Sequence, residues 1–187
     1  MVLVIGCNHD YYAGLLNSPD YELVMERIGT ESDETGQIPY SLPYSENQFD
    51  AIILYSILER SLDISRTIFE SERVLKPEGQ IFFTGIDRSF WTWITHLLIG
   101  EKIFRLIPYG FYDWQLFLTP REMSHVMEAY HFHPPQFEYF GFRFDFWSVI
   151  EGFPMYRWFL IEEGTGGGWY LGKTRKTSKI ERTIVAG

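Results

Sequence analysis

A single cysteine, Cys7, stands in 187 residues, which excludes an internal disulfide and any zinc module built on several cysteines. Cys7 reads as a small buried apolar residue. Long hydrophobic runs are missing as well. The longest uncharged apolar stretch, residues 89–100, has 12 residues, against about 18 for a helix that spans a bilayer. No basic residue precedes Arg27, so neither a secretory signal nor an Arg-rich presequence is read at the N-terminus, and the cytoplasm is the default compartment. Positive charge is scarce overall, 16 basic residues against 25 acidic for a net of −9. That balance speaks against a nucleic-acid binder working through a whole basic face. From Lys173 onward it reverses, five basic to one acidic, leaving 11 against 24 in the first 172. Residues 173–187 therefore read as a basic tail, extended or disordered.

What remains is rich in apolar and aromatic residues, 45% and 18% of the chain. A chain of this length buries roughly 70% of its unfolded surface and needs no structural metal. No repeat or linker is visible, so residues 1–172 are expected to form one domain. Residues 2–5 are a continuous apolar run stopped by Gly6, the pattern of a strand buried on both faces. Residues 21–25 and 49–58 are further strand candidates, and 63–75 carries Ile64, Ile68 and Leu75 at helical spacing. Lys76-Pro-Glu-Gly79 ends that helix, with Pro77 unable to continue it and Gly79 placed for a left-handed conformation. Residues 80–86 are the next strand. Strand, helix, strand with unbroken hydrophobicity predicts a parallel α/β sheet, with residues 2–5 between 21–25 and 49–53. The second half predicts a helix or helix pair over 90–107, a helix over 120–130 opened by Thr119-Pro120, an edge strand or hairpin over 137–149, and a last strand at Trp169-Tyr-Leu171 after a glycine turn.

Two segments carry a resemblance. Leu42-Pro-Tyr-Ser-Glu-Asn-Gln-Phe-Asp50 with the apolar strand after it, and Arg73-Val-Leu-Lys-Pro-Glu-Gly79, resemble the "LP…FD" and "RVLKPGG" segments of class I S-adenosylmethionine (SAM) methyltransferases. Residues 99–122, with Gly100, Glu101, Arg105, Pro108, Gly110, Asp113-Trp114, Phe117, Thr119-Pro120 and Glu122, are similar to an insertion of the ubiquinone-biosynthesis O-methyltransferases, which methylate polyprenyl catechols. The resemblance implies a Rossmann-like fold with helices on both faces of a twisted, mostly parallel sheet, and an insertion or lid over about 88–122. It implies SAM as cofactor, held by Gly6, Asn8, Glu26 and Tyr55, with Glu26 gripping the ribose from the end of the second strand. It also implies contact with a membrane, or a partner protein, through 90–107 and the aromatic second half, and with a mitochondrial assembly.

Departures from the pattern are as informative. The family's acidic residue and G-x-G-x-G loop correspond here to Val4-Ile-Gly6-Cys-Asn8-His-Asp10, which keeps only Gly6. Asn8 tolerates a left-handed backbone, but Asp10 brings a negative charge toward a cofactor that ends in a carboxylate. Too few residues separate Glu26 from Phe49 for the usual helix and third strand, and helices ahead of the first strand are not read. The family's Glu, Glu, His metal trio corresponds to Ser56, Glu59 and Arg60, a poor donor set for a hard divalent cation; Glu59 and Arg60 read as a surface pair. His96 reads as a core or interface histidine, and His131 with His133 lacks partners for a metal site. No catalytic residue is assigned. These losses favour a catalytically degenerate, accessory protein with weak or absent SAM binding and no metal. The alternative is an active O-methyltransferase on a catechol-like or lipid acceptor.

Overall fold

The computed structural model describes residues 1–6, 19–20, 22–27, 41–59, 61, 63–94, 98, 102, 113–144, 159–164 and 168–178. Seven strands form one sheet: β1 (Val2–Gly6), β2 (Leu23–Arg27), β3 (Phe49–Tyr55), β4 (Leu75–Ile86), β5 (Gln136–Phe144), β6 (Phe159–Glu163) and β7 (Trp169–Arg175), in the order β2-β1-β3-β4-β7-β5-β6. β1 pairs in parallel with β2, Val2 opposite Leu23, and with β3, Val2 opposite Ala51. This is the expected central placement, with the second strand two residues later than read. β3 and β4 are parallel, whereas β7 runs antiparallel to both β4 and β5.

α1 (Ile64–Val74) starts where Asp63 accepts a hydrogen bond from the Arg66 N–H at 2.8 Å, satisfying one of the free amides of a helix start. Its inward side packs Thr67, Ile68, Ser71 and Val74 onto a core with Leu3, Ile5, Ile52, Leu54, Ile81 and Phe83. The helix passes straight into β4, whose first residue Leu75 is already extended. The left-handed residue of the Lys76-Pro-Glu-Gly segment is Glu78, at φ 65°, and not Gly79 as expected. Gly79 is required for space instead. A Cβ there would stand 2.8 Å from the Leu75 side chain and 2.9 Å from the Lys76 carbonyl oxygen.

The two halves of the recognised pattern meet. Glu70, in α1, accepts from the Leu42 N–H at 2.8 Å, and Arg73 donates to the Tyr44 and Leu42 carbonyls at 2.8 and 3.0 Å while pairing with Glu70 at 2.8 Å. Burial pushes the Glu70 carboxyl up, but the hydrogen bonds from Arg73 and Leu42 outweigh it and hold it below the usual range. Asn47 and Gln48 add backbone bonds to Arg73 and Val74. The loop entering β3 is thus fixed to the end of α1.

In the second half, a helical turn α2 (Phe90–Thr92) opens the predicted 90–107 helix, most of which lies outside the described residues, as do residues 95–97, 99–101 and 103–112 of the predicted lid. α3 (Pro120–Ala129) has the expected start: Thr119 and Glu122 form a reciprocal capping box with Pro120 in the first turn. Two expectations are corrected. β5 is not an edge strand, because β7 flanks it on one side and β6 on the other. The basic tail begins later than Lys173, because β7 continues through Lys173, Thr174 and Arg175 in register with Phe82, Ile81 and Gln80. Lys176 is 4% exposed, so the ladder and a buried ammonium claim residues assigned to the tail. His131, at φ 63° just beyond α3, and His133 both lie outside the strands.

Candidate functional site

The carboxyl ends of β1, β2, β3 and β4 lie side by side, the edge at which open α/β sheets bind ligands. Gly6 is opposite both Arg27 and Tyr55. A Cβ on Gly6 would stand 2.9 Å from the Tyr55 carbonyl oxygen, so glycine is needed for β1 to leave the sheet against β3. The sheet therefore brings together Gly6, Glu26 and Tyr55, three of the four residues implied for the cofactor. Asn8, like Cys7, Asp10, Arg60 and His96, lies outside the described residues.

Glu26 has a partner that the sequence does not announce. The Tyr44 hydroxyl donates to its Oε2 at 2.7 Å. Burial, then the hydrogen bond and charge of Glu26, push the Tyr44 hydroxyl up to about 12. A ribose approaching Glu26 would share that oxygen with a phenol.

Beyond Tyr55 the chain turns sharply at Ser56, φ 51°, whose N–H donates to Thr84 Oγ1 at 3.0 Å. Ser56 Oγ then donates to Glu59 Oε1 at 2.7 Å. Glu59 is 5% exposed, which corrects its reading as a surface residue: the turn at Ser56 folds it inward beneath β4 and β7. A cavity of about 360 Å³ opens here, walled by Tyr55, Phe140, Trp169 and Tyr170 around Glu59 and Thr84. Trp169 and Tyr170 were visible in the sequence only as strand residues. They reach the site through the antiparallel pairing of β7 with β4, which no local pattern encodes.

Tyr170 anchors the far wall. Its hydroxyl donates to the Leu118 carbonyl at 3.1 Å, and its ring meets Phe83 and Phe137 edge-on at 6.5 and 5.5 Å. Burial first, then the charges of Glu59, Asp87 and Glu122, push its ionisation far up. Burial and Glu122 likewise raise the Asp87 carboxyl. Glu122 is held low, chiefly by the Thr119 N–H and despite some burial, and pairs with Arg88. The charges that act on Tyr170 are thus acidic, with the Arg88 guanidinium paired to Glu122.

Solved structures share this fold. A SAM-dependent methyltransferase from Thermotoga maritima superposes with a TM-score of 0.57 at 18% identity, over 94% of this chain and 81% of its own. Another from Archaeoglobus fulgidus gives 0.59 at 13% identity, over 94% and 85%. The chain thus has the Rossmann-like fold of class I methyltransferases. A family described as a methyltransferase domain matches residues 27–83 of this methyltransferase-fold chain. Among curated proteins it is similar to ubiquinone biosynthesis O-methyltransferases. That of Pasteurella multocida is 30% identical over 48% of this chain and 41% of the relative. That of Bartonella tribocorum is 26% identical over 67% and 57%, and a mitochondrial one from Dictyostelium discoideum is 28% identical over 46% and 26%. The chain thus matches less than two thirds of the length of each.

The donor set at Ser56 and Glu59 does not suit a divalent metal. A hard cation takes six or more oxygens, often several carboxylates, and here one carboxylate and a hydroxyl already bonded to it face aromatic carbon. Among the described residues no group of three His, Cys, Asp or Glu could hold an ion. For SAM, Gly6, Glu26 and Tyr55 occupy a suitable edge, with Glu26 shared by Tyr44.

Proposed function

We propose that this protein is a methyltransferase-fold protein of the ubiquinone-biosynthesis O-methyltransferase type that has lost catalysis and serves as an accessory or structural subunit of a membrane-associated assembly, mitochondrial where its host has mitochondria. The observation that carries this reading is the Ser56–Glu59 hydrogen bond of 2.7 Å. At the place where the resemblance implies a metal trio, a serine hydroxyl engages the one remaining carboxylate inside an aromatic cavity. Methylation of a catechol needs its proton removed and its oxygen held in line with the methyl group, and this pair is a poor donor set for a metal that would acidify the phenol.

Cofactor affinity is reduced on the same reading. Asn8 and Asp10 stand where the family has glycines, and Glu26 is shared with Tyr44. Support for a partner or membrane surface comes from Phe90 and Trp93, which stack at 6.3 Å while 70% and 37% exposed. Calorimetry of the full chain with SAM, together with an assay for magnesium-dependent methylation of a catechol, tests the reading. Weak or undetectable binding and no turnover are expected. Tight SAM binding with turnover would overturn it.

A further inference from the structure

We propose that the cavity at the carboxyl ends of β3 and β4 binds a small organic cation, an ammonium group bearing alkyl substituents, with Glu59 as counter-charge and the Tyr55, Trp169 and Tyr170 rings as walls. The cavity measures about 360 Å³, at the small end of ligand pockets, which run from about 300 to 1,000 Å³. Among the described residues, Glu59 is the one formally charged residue that lines it. Its position is fixed by Ser56 at 2.7 Å, and Ser56 is in turn fixed to Thr84 at 3.0 Å. The Ser56 and Thr84 hydroxyls are therefore tied into the turn that presents Glu59.

Each ligand class meets this chemistry differently. An anion would meet Glu59, and beyond it the field of Asp87 and Glu122 that already acts on the Tyr170 hydroxyl. A divalent ion would leave a full shell of water for two oxygens and carbon walls. An alkylammonium is weakly hydrated, gains attraction from aromatic faces, and offers apolar surface to the same walls. Of these classes it alone uses every component of the cavity. The proposal rests on this cavity and goes beyond the proposed loss of catalysis.

Choline and 3,3-dimethylbutan-1-ol have the same shape and differ by the positive charge, so they test the proposal on the unmodified full chain. By calorimetry, choline is expected to bind at least about tenfold more tightly than the alcohol, the factor set by a desolvated cation–aromatic contact and a carboxylate. The anionic isostere 3,3-dimethylbutanoate is expected not to bind. Glu59→Gln, checked for unchanged thermal unfolding, is expected to remove the preference for choline. Equal binding of choline and the alcohol, binding of neither, or a preference that survives in E59Q would each overturn the proposal. SAM titrated onto the same samples reports the loss of cofactor binding separately, since either result can occur with the other unchanged.

Discussion

Tyr44 donates its hydroxyl to Glu26 Oε2 at 2.7 Å while its ring stands edge-on to Phe49 at 5.0 Å. The loop ahead of β3 is thereby tied to the end of β2, and the phenol keeps its proton up to about 12 against an ordinary 10.0. Because the folded chain binds that proton more tightly than the unfolded one, the contribution is complete below about pH 10 and fades as pH rises toward 12. Tyr44→Phe is expected to lower stability by about 1.5 to 3 kcal/mol at neutral pH, as for a hydrogen bond to a charged group. Urea unfolding of both proteins should show the gap closing between pH 10 and 12. A gap independent of pH would mean that ring packing and not the hydroxyl is responsible.

Lys176 is a second fastening, on the opposite end of the sheet. Its Nζ donates to the Glu72 and Leu75 carbonyls at 2.6 and 2.7 Å and pairs with the Glu72 carboxylate at 3.2 Å. An ammonium at a helix C-terminus satisfies carbonyls that have no partner within the helix. Lys176→Met is expected to destabilise by about 3 kcal/mol, the scale for breaking a buried pair. Denaturant titration giving a change below about 0.5 kcal/mol would show the contact to be incidental.

Gly172 lies beneath the Phe83 ring, which a Cβ at that position would overlap. Phe83 is fully buried and packs on Phe137 and Tyr170, so it has little room to yield. Gly172→Ala is expected to cost about 3 kcal/mol by overpacking and to loosen the cavity wall with it. Thermal unfolding measures the cost, and a Tm unchanged from the unmodified chain would show that Phe83 repacks freely.

The stacked pair Phe90 and Trp93 is the exposed apolar feature of the described surface most suited to a lipid or protein contact. Flotation with liposomes is expected for the unmodified chain and lost in the Phe90→Ser, Trp93→Ser double variant, with circular dichroism unchanged. No flotation together with a monomer in solution would remove the membrane and self-association readings of this surface.

The sequence by itself determined the parallel half of the sheet. Residues 2–5 and 51–55 are apolar on successive positions, which suits only a strand covered on both faces, and Asp63 and Thr119 announce helix starts through bonds made within four residues. It also placed Gly6 and Glu26 where apolar strands end, on the edge that carries the candidate site. Tertiary structure alone decided what those residues touch. Tyr44 and Glu26 are 18 positions apart and Tyr170 and Leu118 are 52, and such pairs arise only once β7 has paired with β4 and the loop before β3 has docked on α1. Glu59 shows the difference most plainly. By residue type it belongs in water, and the left-handed turn at Ser56 with the β7 wall above it places it inside, because burial is a property of packed layers and not of a residue's neighbours in the chain.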